Sequence, residues 1–171
     1  MPLVLHPDVV LAWFLPMEDG GSRYADRVLD ALAIDWAVVP GSWAGSLANA
    51  LYGLQARGTC RPAYLRQALA LLAQLNVVGD ALPPALALAD DLTLSQAHSV
   101  PAGEAAYLAL SMRTGIPLAA CSPKLRQQAH RLDVRLYEPD HLEGEVDSAA
   151  APLVPTRHRH VTSGRKNHAV K

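Results

Sequence analysis

Short apolar runs alternate with helix-forming stretches along most of this 171-residue chain, and that alternation limits the fold more than any other feature. The runs are Leu3–Leu5, Trp36–Val39, Val77–Val78, Ile116–Cys121 and Val134–Tyr137. Each is too short for a buried helix, is rich in β-branched or large apolar residues, and is bounded by Pro, Gly, Asp or Asn. That is the signature of strands covered on both faces. Between them lie amphipathic or Ala/Leu-rich segments: Val9–Leu15, Arg23–Ile34, Trp43–Arg57, Ala63–Leu75, a helix from Pro83–Pro84 to His98, Ala102–Thr114, and one opened by Ser122–Pro123 and running to Leu132. Strands that alternate with helices join a parallel sheet, because a parallel connection must cross over and a helix is the usual crossover. The expected fold class is therefore α/β, a three-layer α/β/α sandwich around a mostly parallel sheet of short strands.

Local signals sharpen the boundaries. Ser22, Ser42 and Ser122 stand where N-caps are expected, the last followed by proline. Gly58 and Gly115 stand where helices end. In Arg23–Ile34 the apolar stripe is Tyr24, Val28, Leu29 and Leu32. In Ala102–Thr114 the inward set is Ala105, Leu108, Ala109 and Met112.

Half of the residues are hydrophobic, enough for a folded core in one domain. No apolar run is long enough to cross a bilayer, and the N-terminus does not read as a secretory signal. Cys60 and Cys121 match no metal-ligand spacing and read as reduced thiols. A cytoplasmic protein without a membrane partner is expected. The formal net charge of −1 is unevenly spread. Residues 1–143 hold 10 Lys/Arg against 14 Asp/Glu, whereas 144–171 hold 5 against 2. The reading is a domain over 1–143 followed by a flexible basic tail over 144–171. Arg157, Arg159, Arg165 and Lys166 in that tail are candidate RNA-phosphate contacts, although no aromatic residue accompanies them for base stacking.

In an open parallel sheet, chemistry collects at the carboxyl ends of the strands. Here those ends carry four stretches that resemble the PIN domain, and specifically the VapC-like toxin ribonucleases. Val4-Leu5-His6-Pro7-Asp8-Val9-Val10-Leu11-Ala12-Trp13-Phe14 resembles the family's opening V-L-D-A-S-V-A-L-A-W-F. The stretch from Pro40 through Trp43 and Ser46 to Asn49 and Leu51 resembles P-x-x-W-x-x-E-V-A-N-A-L. Glu104-Ala105-Ala106-Tyr107-Leu108-Ala109-Leu110 resembles D-A-A-Y-L-A-L, and Leu118-Ala119-Ala120-Cys121-Ser122-Pro123-Lys124-Leu125 resembles L-A-T-L-D-R-K-L. The order and spacing agree over about residues 3–137. Trp13, Asn49, Tyr107 and Lys124 match the family's pattern.

The resemblance implies an endoribonuclease site in which clustered acids hold Mg²⁺ or Mn²⁺, a homodimer, and a small antitoxin as partner. Carried over position by position, the family's acids fall on His6, Ser46, Glu104 and Ser122, so three of four are replaced. Magnesium wants charged oxygen ligands, and a serine hydroxyl brings no charge. The expectation is a binding protein on a nuclease scaffold with little or no cleavage and no resident cofactor. The alternative is an active Mg- or Mn-dependent ribonuclease with an altered site. Asp8 stands where the family usually has Ser or Thr; if the chain stays extended, His6, Asp8 and Glu104 form a mixed nitrogen–oxygen metal set. If instead Pro7 turns the chain, Asp8 caps the helix that follows. A third reading makes the domain purely structural and leaves binding to the tail.

Overall fold

The computed structural model describes residues 1–15, 21–59 and 62–139. Residues Met1–Asp140 form one compact unit, against an expected end at 143. Cys60 and the tail residues Arg157, Arg159, Arg165 and Lys166 lie outside the described residues.

The architecture is α/β with four parallel strands. β1 is Leu3–Leu5, β2 Ala37–Val39, β3 Val77–Gly79 and β4 Leu118–Ala119. Their order across the sheet is β3-β2-β1-β4. Register follows from pairs such as Leu3 with Ala37 and Val4 with both Val38 and Leu118. The helices are α1 (Pro7–Ala12), α2 (Gly21–Leu32), α3 (Trp43–Ala56), α4 (Pro62–Leu72), α5 (Pro84–His98), α6 (Ala102–Thr114) and α7 (Pro123–Arg131).

Strand side chains alternate between faces, and the sheet thereby separates two cores. Leu3, Leu5, Ala37, Val39 and Ala119 point to one, where Val9 and Val10 of α1, Ala25 and Val28 of α2, and Leu47 of α3 cover them. Val4, Val38 and Leu118 point to the other, beneath Ala105, Leu108 and Leu110 of α6 and Leu125 and Ala129 of α7. This explains why β1, β2 and β4 read as unbroken apolar runs: both of their faces are dry. Sequence order reverses between β1 and β4, so the crevice beyond their carboxyl ends is the topological switch point.

Several boundaries differ from the sequence expectations, each for a local reason. Helix α1 starts at Pro7, not Val9, and ends at Ala12 rather than Leu15; proline at the first helical position needs no N–H partner. Asp8 is therefore inside the first turn, and His6 is the N-cap. Helix α2 starts at Gly21, which places Ser22 within it. Ser42 occupies the N-cap of α3 without a side-chain hydrogen bond. Helix α4 stops at Leu72, short of Leu75. The expected run Ile116–Cys121 keeps only Leu118–Ala119 as strand. Val134–Tyr137 reduces to one parallel bridge between Leu136 and Leu118, held by Leu118 N–H to the Arg135 carbonyl and Tyr137 N–H to the Leu118 carbonyl, both 2.8 Å. Met112 is half exposed rather than inward, because α6 buries an arc running through Tyr107 and Ser111. Gly58 and Gly115 do end their helices, at φ +70° and +67°, where a side chain would be strained.

No helix among the described residues is long and apolar enough to cross a membrane.

Candidate functional site

β1 delivers His6 to the switch point, and β4 delivers Cys121 and Ser122. The His6 N–H donates to the Ala119 carbonyl at 3.1 Å, which fixes the exit of β1 against β4. Because α1 begins immediately, the Asp8 side chain turns back over this junction. Its Oδ2 accepts the Ser122 backbone N–H at 2.7 Å. Its Oδ1 lies 3.0 Å from His6 Nδ1. The same imidazole nitrogen is 3.3 Å from the Asp8 backbone N–H. A protonated Nδ1 therefore faces the carboxylate, and a bare Nδ1 accepts the backbone proton.

Asp8 is mostly buried. Burial is the largest single influence on its carboxyl and raises its pKa, yet the hydrogen bond and charge of His6 and the amides of Cys121 and Ser122 together outweigh it. The net result is a pKa below the ordinary aspartate value of 3.8. The Cys121 thiol is driven the other way, to about 12, by burial and then by the Asp8 carboxylate, with Arg126 opposing.

Two more elements close the site. From α6, the Tyr107 ring meets the His6 ring edge-on, with centroids 4.6 Å apart. Burial raises the Tyr107 phenol above its usual range, and Ser46 of α3 acts against that rise as its polar neighbour. From α7, Arg126 lies over the Tyr24 ring at 5.2 Å, donates to the Ala120 carbonyl at 3.3 Å and pairs with Glu138 at 2.6 Å. Ser122 caps α7 by accepting the Leu125 N–H at 3.4 Å.

The residues picked out in the sequence thus separate into two groups. His6, Asp8 and Ser122 share direct contacts; Ser46 stands near the Tyr107 phenol, whose hydroxyl has no hydrogen-bond partner among the described residues. Glu104 sits in the first turn of α6, with Oε2 buried and without a hydrogen-bond partner among the described residues. It does not complete the mixed set expected with His6 and Asp8: no three His, Cys, Asp or Glu side chains among the described residues are placed to hold a metal ion. The alternative in which Asp8 caps the helix is also corrected, since His6 takes that place. The site does not fit Mg²⁺ or Mn²⁺. Asp8, the carboxylate beside the end of β1, spends one oxygen on a backbone amide and turns the other to an imidazole, while a hard cation needs several free oxygens.

Sequence reasoning missed the part played by Cys121 and Arg126, which no local pattern marks. It also missed a groove of about 240 Å³ between α1 and α3 that Asp8 and Arg57 help to line. A larger groove, about 540 Å³, lies between α5 and α6 and holds the Asp80–Arg113 ion pair. Asp91 at its wall has its carboxyl pKa raised by burial and by the like charge of Asp90.

No protein-family model matches the chain, and neither does any curated protein. Among solved structures it is similar to the crystal structure of PAE2754 from Pyrobaculum aerophilum, with a TM-score of 0.53 and 16% identity. The match covers 78% of this chain and 90% of that one. That likeness is one of fold. It supports the three-layer α/β/α architecture described above.

Proposed function

We propose that this chain is a PIN-type, VapC-like scaffold that binds RNA without efficient metal-dependent cleavage. The observation that carries the reading is the closed pairing at the end of β1. The Asp8 carboxylate is held by the Ser122 amide and His6, at the place where the resemblance calls for acids free to bind metal. Metal-assisted phosphodiester cleavage requires a cation that activates water and stabilises the leaving oxygen. His6, Ser46 and Ser122 supply no anionic ligand for it. The partners that come with this reading are RNA, a second copy of the chain and a small antitoxin protein.

The test is a cleavage assay on structured RNA with Mg²⁺ or Mn²⁺, run beside metal titration by calorimetry. The native chain is expected to bind RNA, leave it intact and take up neither metal at micromolar concentration. The variant carrying His6→Asp, Ser46→Glu and Ser122→Asp together is expected to gain metal affinity. Metal-dependent cleavage by the native chain, lost in Glu104→Ala, would establish the active alternative instead. A folded triple variant with unchanged metal affinity would reject the superposition of motifs on which the reading rests.

A further inference from the structure

The groove between α1 and α3 carries an inference that deepens, and rests on, the RNA-binding reading. We infer that it is a single-stranded RNA subsite in which Arg57 holds a backbone phosphate.

The groove is lined by two unlike charged residues. One is Asp8, whose charge faces His6 and the Ser122 amide. The other is Arg57, exposed and without a carboxylate partner among the described residues. Leu11 of α1 and Leu54 of α3 supply apolar lining, and Asn49 lines the groove one turn before Gly53. The Arg57 guanidinium folds back against Gly53: a Cβ there would stand 3.2 Å from its Nη1. Glycine in mid-helix costs about 1 kcal/mol relative to alanine. In exchange, its missing side chain lets the cation lie in the groove instead of projecting into solvent.

This arrangement fits a nucleotide. A phosphate is attracted to Arg57 and repelled by Asp8, so the uncharged sugar and base lie against Leu11 and Leu54. Asn49 is exposed and offers both a donor and an acceptor to a base edge. Tyr52, 72% exposed on the neighbouring face of α3, gives an adjacent base a ring to stack on. A cation and an amide in the groove, with an exposed aromatic on the next face of the same helix, favour single-stranded nucleic acid over an acidic peptide. An acidic peptide would use Arg57 and leave Tyr52 idle.

The test uses the full chain and fluorescence anisotropy with a labelled single-stranded oligoribonucleotide of about ten nucleotides, titrated over a range of salt. Arg57→Gln is expected to weaken binding roughly tenfold and to lower the slope of log affinity against log salt by about one. Gly53→Leu, which fills the groove with a better helix former, is expected to weaken binding similarly. Tyr52→Ala is expected to have a smaller effect with an unchanged salt slope. If the native chain binds the probe and both Arg57→Gln and Gly53→Leu bind equally well with the native slope, the subsite is overturned while the RNA-binding scaffold stands. Loss of binding in Arg57→Gln and Gly53→Leu that an acidic peptide reproduces by competition, with Tyr52→Ala unchanged, would reassign the groove to a protein partner. A native chain that does not bind the probe removes the RNA-binding reading, and the subsite with it.

Discussion

The junction of β1 with β4 and the flank built from α4, α5 and β3 are made of similar residues and behave differently. At the junction Leu3, Val4, Leu5, Leu118 and Ala119 are all fully buried. The Asp8 carboxylate beside them is tied down from within the chain by the Ser122 amide. On the flank, Leu86, Leu88 and Leu92 of α5 are 56%, 60% and 45% exposed, and α5 has no fully buried residue among those described. Tyr64 and Leu69 of α4 and Val78 of the edge strand β3 are exposed too. The helices α4 and α5 are only lightly built into the core. Apolar composition alone does not stabilise a fold; the stabilisation comes from area removed from water.

Core truncation gives the largest contrast. Leu5→Ala or Leu108→Ala should cost about 2–5 kcal/mol, because a methyl-rich side chain is lost and a cavity remains. Leu88→Ala should stay within about 0.5 kcal/mol. Urea unfolding measures both, and equal losses would show that α5 is covered in solution by something outside the described residues.

A smaller loss is expected from the polar half of the junction. Asp8→Ala strands the Ser122 N–H in a mostly buried place, at a cost of about 1–3 kcal/mol. Asp8→Asn keeps an acceptor and should lose less. If the two variants unfold at the same urea concentration as the native chain, the junction is held by its apolar neighbours alone.

The acid response follows from the lowered Asp8 pKa. A carboxyl that ionises more readily folded than unfolded contributes stability fully above its unfolded value, near 3.8, and loses it as pH falls through the lower folded value. Stability of the native chain should therefore decline below about pH 4 more steeply than that of Asp8→Asn. Parallel curves for the two chains would remove Asp8 from the acid transition.

The smallest effect is chemical rather than structural. With its pKa near 12, the Cys121 thiol has little thiolate at neutral pH and should alkylate far more slowly than a free cysteine. Asp8→Asn removes one of the two influences that raise it and should speed the reaction in the folded protein. Native alkylation at the rate of the unfolded chain would contradict the burial of this corner.

Much of the framework was legible because its signals are local. Leu3–Leu5 and Ala37–Val39 are strands where their apolar runs predict them, and Gly58 and Gly115 end helices because only glycine takes that backbone without strain. The cap of α7 by Ser122 was equally readable, as serine before proline. Other local signals were outweighed. Ser42 stands at a cap position and makes no capping bond, while His6, a residue not expected to cap, occupies the N-cap of α1. Pro7 was read as a turn, although the same fixed φ also suits the first residue of a helix, and that choice moved Asp8 from outside the helix to inside it.

Residue type and spacing suffice for the class of the fold, for the identities at the strand ends and for the absence of three acids from the places where the resemblance expects them. What Asp8 does depends on how the chain packs. Its partners are His6, two residues away, and Ser122, which reaches it through the pairing of β1 with β4. Arg57 and Asp8 came to line one groove because α3 packs beside α1. Long-range neighbours of this kind arise from the burial of two apolar faces against one sheet, and no local pattern records which polar groups that burial brings together.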